Sequence, residues 1–140
     1  MKNHPKAFVV TDIKNRNAEG LKTITALAGE LQHRFIPQIM QPETYKSTKE
    51  LGYKHIIWTL YQFKGGKKAI IKHTKEMDPF ALTMPVYKAK QGLAKEIDQD
   101  IPIYVHTIND LQGEREFQTQ WNITSIYTDF LNKDLVPEAQ

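Results

Sequence analysis

Residues 55–61 read HIIWTLY, the strongest strand signal in the chain: a continuous apolar and β-branched run of strand length. On both sides of it, β-branched apolar runs alternate with amphipathic stretches. Upstream, residues 7–14 (AFVVTDIK) read as a strand. Residues 17–33 read as a helix, with Leu21, Ile24, Leu27, Ala28 and Leu31 at the 3–4 spacing of one helix face. Residues 35–40 form a short strand, and residues 42–51 a helix that Gly52 stops. Downstream, a helix over 64–76 opens after Gly65-Gly66. A strand over 80–84 (FALTM), a helix over 87–99 and a strand over 101–107 (IPIYVHT) follow. A helix over 110–121, capped by Asn109 or Asp110, leads into a last strand over 123–128. Residues 132–140 make a polar tail.

Strict alternation of strand and helix implies parallel strands joined by right-handed crossovers, hence an α/β fold. Two architectures fit the rhythm. One is an open, doubly wound sheet that is complete as it stands. The other is part of an eight-stranded barrel, which as a whole needs about 250 residues.

The bulk properties narrow the function classes. The chain has 140 residues, net charge +3 and no cysteine, which excludes disulfides, zinc–thiolate sites and a cysteine nucleophile. Its lysines are spread out, with Lys67-Lys68 the one adjacent pair. A nucleic-acid footprint would gather charge on one face, so no nucleic-acid partner is expected. No apolar run has the length of a signal-peptide core or approaches a membrane span, so the chain is expected in the cytoplasm if Met1 is the true start. Gly65-Gly66 lacks the spacing of a phosphate loop and reads as a turn.

Five stretches carry a resemblance. Residues 104–109 read YVHTIN and, one helix later, residues 126–130 read IYTDF. Residues 35–41 read FIPQIMQ, followed by residues 52–61, GYKHIIWTLY. Residues 10–14 read VTDIK. In this order and spacing they resemble the glycerophosphodiester phosphodiesterase family, of the phosphatidylinositol-phospholipase-C-like barrel superfamily. The resemblance covers about residues 7–131. It implies a parallel (β/α) barrel of TIM type that is incomplete, with residues 1–131 supplying about strands three to eight of eight. The family's first strands carry His-Arg-Gly and a Glu-x-Asp metal pair. Here His33-Arg34-Phe35 lacks the glycine and precedes a strand, and no Glu-x-Asp stands before Asp12. The expected partner is therefore a missing N-terminal half or an oligomer.

Site expectations follow from the strand ends, where a parallel barrel places its chemistry. Asp12 and Lys14 are two apart and share one strand face. The resemblance makes Asp12 a ligand for a divalent cation, Ca²⁺ or Mg²⁺, although the family usually has the longer Glu there. It makes Lys14 the catalytic cation that steadies charge on the phosphoryl oxygens. A simple ion pair at a strand end is the competing reading. Gln38, Trp58, Tyr61, Met84 and His106 are expected to line the substrate pocket. For Trp58, Tyr61 and Met84 core packing competes, for His106 a hydrogen-bonded interior role, and for Gln38 a loop hydrogen bond. Asn109 is expected to cap its helix. The implied reaction hydrolyses a glycerophosphodiester to glycerol phosphate and an alcohol. The chain alone offers no acid–base pair and is expected to be catalytically incomplete. The alternatives are a non-catalytic binding module on the same scaffold and an unrelated open-sheet binder of small ligands.

Overall fold

Six short strands form one sheet in the computed structural model, which describes residues 4–97 and 100–131. They are β1 (Val9–Thr11), β2 (Phe35–Ile39), β3 (Ile57–Thr59), β4 (Ala81–Pro85), β5 (Ile103–His106) and β6 (Ser125–Tyr127). All neighbouring pairs are parallel, and the spatial order is the sequence order, β1 to β6. A doubly wound sheet must reverse its strand order at a switch point. This one never does, so the open doubly wound alternative falls. The sheet curls into a half-barrel.

Five helices join the strands: α1 (Asn17–Ala28), α2 (Tyr45–Glu50), α3 (Lys67–Met77), α4 (Val86–Lys90) and α5 (Leu111–Trp121). Stepping always in the same direction puts them on one face. Leu21 of α1, Ile70 and Met77 of α3, Ala89 of α4 and Phe117 of α5 share one buried cluster with Ile39, Trp58, Leu82, Met84, Ile103 and Val105 from the strands. The strand residues of that cluster alternate along each strand, as the two-residue repeat of a pleat demands. The intervening residues face the hollow side of the curl.

Several helices are shorter than the periodicity predicts. The run over 17–33 stops being α-helical at Ala28 because Gly29 adopts φ 53°, ψ −127°, a backbone conformation that side chains disfavour; tighter 3₁₀ turns continue over Gly29–Arg34. The helix expected over 87–99 ends at Lys90 for the same kind of reason. Gly92 turns left-handed at φ 75°, and a 3₁₀ segment over Leu93–Glu96 follows. The last two residues of that expected helix, and the polar tail over 132–140, lie outside the described residues. The cap of α5 is Asp110, whose Oδ1 accepts from the Gly113 N–H at 2.6 Å. Arg34 is 5% exposed and acts as a clasp: its Nε donates to the Ala7 carbonyl at 2.9 Å and its Nη2 to the His4 carbonyl, tying the approach to β1 onto the start of β2. Among the described residues, no helix is long and apolar enough to cross a membrane.

Candidate functional site

The hollow face is graded from base to rim. Near the strand starts it carries Val10, Ile36, Ile57 and Ala81. Toward the strand ends it turns polar, with Gln38, Thr59, Thr83, His106 and Tyr127. The register confirms the shared face: Gln38 pairs with Ile57, Thr59 with Thr83, Thr83 with Tyr104, and His106 with Tyr127. Thr83 is fully buried, and its hydroxyl has no hydrogen-bond partner among the described residues.

At the C-terminal rim these strands open into a cleft of about 350 Å³. Its walls come from both ends of the sheet. Asp12 and Lys14 follow β1, and Tyr127, Thr128 and Asp129 end β6. Gln38, Met40, Thr59, Tyr61, His106 and Thr107 lie between. The curl thus brings together residues more than a hundred positions apart in sequence.

The Asp12 carboxylate accepts from the Lys14 ammonium at 2.5 Å, so the two form an ion pair at the rim. Both remain partly solvent-exposed, with side chains 42% and 61% accessible. The Lys14 Nζ also stands 5.9 Å from the centre of the Tyr61 ring. Tyr61 meets the His106 ring edge-on at 6.2 Å, and His106 lies 6.4 Å from Tyr127. The peptide between His106 and Thr107 is cis.

Charge and burial tune the two titrating groups of this row. Burial lowers the His106 pKa, the Lys14 ammonium lowers it further, and Asp12 opposes both. His106 is therefore a neutral imidazole at pH 7. Burial raises the Tyr127 phenol to about 12, with Tyr104 and then Asp12 adding to the effect. Tyr127 is a neutral O–H donor at any physiological pH. The cleft thus holds one ammonium (Lys14), two phenol groups (Tyr61 and Tyr127) and the Thr59 hydroxyl, donors that an oxyanion can use, beside the carboxylates of Asp12 and Asp129.

Asn109 does not cap α5. Its Oδ1 accepts from Thr128 Oγ1 at 3.0 Å and from the Asp129 N–H at 2.9 Å, and its Nδ2 donates to Asp129 Oδ2 at 3.0 Å. It staples the end of β5 to the end of β6, holding the cleft residues Thr128 and Asp129 in place.

The sequence expectations divide cleanly. Asp12, Lys14, Gln38, Tyr61 and His106 come together on the cleft. Trp58 and Met84 do not: both are fully buried in the helix-side core. Trp58 packs edge-on against Phe63 and His73, and its indole N–H points at the Met40 carbonyl. The correction is one of parity. In HIIWTLY the strand turns Ile57 and Thr59 to the hollow and Trp58 to the helices; in FALTM it turns Thr83 inward and Met84 outward. Thr59, Tyr127, Thr128 and Asp129 also line the cleft; the sequence places Thr59, Thr128 and Asp129 at strand ends but singles out none of the four for a role in the site. A usable signal was present: Thr59 is a polar residue inside the apolar run of β3, as Gln38 is in β2.

The residues do not by themselves fit a divalent cation. Such an ion wants six or more oxygen ligands. The Asp12 carboxylate is engaged by an ammonium, which sets positive charge where the ion would sit. Asp129 is held by Asn109. No group of three or more His, Asp or Glu side chains with metal-ligand spacing occurs among the described residues.

Compared with family models, with curated proteins and with solved structures, the chain has no match.

Proposed function

We propose that this chain is the phosphate-binding part of an incomplete TIM-type barrel of the glycerophosphodiester phosphodiesterase kind. The observation that carries this reading is the meeting of Lys14, Tyr127 and His106 in one cleft at the strand ends, each reaching it from a different strand. Lys14 and Tyr127 would grip the non-bridging oxygens of a phosphodiester, and Tyr61 would wall in the glycerol. Catalysis would need groups that the described residues lack. His106 is neutral and flanked by aromatic rings, with no second histidine on the cleft. A divalent cation, Ca²⁺ or Mg²⁺, would need oxygen ligands besides Asp12. Both requirements would be met by two further strands bridging β6 and β1 to close an eight-stranded barrel.

A second reading, a non-catalytic binding module on the same scaffold, is favoured by the Asp12–Lys14 ion pair. A carboxylate already satisfied by a neighbouring ammonium serves to orient that ammonium rather than to capture a metal.

Titration calorimetry with glycerol phosphate tests the shared core of both readings. The chain should bind it, and Lys14→Met should weaken binding at least about tenfold, the loss of one charge-assisted contact. Unchanged affinity in Lys14→Met would refute the assignment. Incubation with glycerophosphocholine and Ca²⁺ or Mg²⁺ separates the two: the isolated chain should give no turnover, whereas turnover would show that the cleft is complete without further strands.

A further inference from the structure

Tyr61 has a second neighbourhood that the cleft does not use. Beyond it, on the outer rim, lies a more open shelf of about 640 Å³ lined by Gln41, Gln62, Phe63, Lys64, Tyr87 and Lys88, with Tyr61 as the wall shared with the cleft. Its chemistry is one-sided. Two ammonium groups line it and no carboxylate does. No ion pair engages Lys64 or Lys88 among the described residues. Lys88 is also held in place: its Nζ donates to the Phe63 carbonyl at 3.3 Å and sits 5.7 Å from the centre of the Tyr87 ring. Tyr61 and Tyr87 are both more than half exposed, at 59% and 57%, and so present free aromatic surface.

We infer that the shelf is a head-group subsite that selects diesters whose alcohol carries a further negative charge. This rests on the cleft holding the phosphodiester. A diester gripped at Lys14 has one substituent in the cleft, and Tyr61, which lines both spaces, gives the other a path toward the shelf. Aromatic faces would by themselves attract a cationic head group such as choline. Here Lys88 already stands over Tyr87, and Lys64 adds a second positive charge. Like charges at a few ångströms outweigh an exposed cation–π contact, so a cationic head group is disfavoured and an anionic one favoured. The aromatic edges then pack against the carbon skeleton that bears the charge.

The test compares three probes on the full chain by calorimetry: glycerol phosphate, glycerophosphocholine and glycerophosphoinositol monophosphate. The anionic diester should bind at least about tenfold more tightly than the choline diester, by an advantage that shrinks as salt is raised. Lys64→Met and Tyr87→Ala, both at exposed positions, should each cut that advantage to about threefold or less while leaving glycerol phosphate affinity unchanged. Circular dichroism checks that both variants stay folded. Equal affinity for the two diesters, or an advantage that survives both substitutions, overturns the subsite. Failure of glycerol phosphate to bind, with the anionic diester still bound through Lys64, would instead sink the cleft reading and leave the shelf standing as an anion site.

Discussion

His106 is the residue whose chemistry most depends on its surroundings. In the folded chain its pKa lies below the usual 6.5, through burial first and Lys14 second. The unfolded chain therefore takes up a proton at higher pH than the folded one. Stability contributed by the neutral ring is present above pH 6.5 and is lost as pH falls from 6.5 toward the folded value. Urea midpoints measured across that range should drop in the native protein, and His106→Gln should flatten the drop. An equal slope in the variant would show that another group titrates. Tyr127 works in the opposite sense at the alkaline end. Its folded pKa of about 12 keeps the phenol protonated where an unfolded tyrosine would ionise. Stability should fall as pH rises from about 10 toward 12, and Tyr127→Phe should remove that fall.

Among the elements, α5 has the clearest local logic. Asp110 takes the Gly113 N–H, Phe117 is buried in the core, and Asn122 closes the helix in the left-handed conformation at φ 56°. Removing the cap by Asp110→Ala should cost about 1 kcal/mol, seen as a melting temperature lower by about 3 °C. Asn109, one residue earlier, belongs to a different unit. Its three hydrogen bonds join two strand ends, so Asn109→Ala should disturb the cleft rather than the helix. The two neighbours look interchangeable as caps in sequence, and only the backbone geometry separates them. In β3 and β4 the same lesson is one of alternation: Trp58 and Thr59 differ by one step along the pleat and end on opposite sides of the sheet.

At the scale of the molecule, the half-barrel has two margins, β1 and β6, that no further strand pairs among the described residues. Phe8, Val9 and Val10 leave substantial apolar surface at the β1 margin, with Val10 42% exposed. An open edge of this kind is a template for further strands. The chain is expected to self-associate or to capture strands from a partner. Val10→Lys should shift it toward monomer in sedimentation velocity, because a charge on the edge resists pairing. A native chain that is already a stable monomer at high concentration would remove the reason to expect barrel closure by added strands.

The order of strands and helices, the parallel pairing that alternation demands, and the rim position of Asp12, Lys14, Gln38, Tyr61 and His106 were all legible in the chain, because hydrophobic period and strand polarity are local properties. What pattern left open, the folded arrangement decided: a curled sheet in place of a doubly wound one, Thr59 and Tyr127 on the cleft in place of Trp58 and Met84, and Asn109 as a staple. Each depends on which face a residue presents once strands pair, and on the two ends of the sheet approaching one another. Those are consequences of register and curvature, which arise only when distant segments pack.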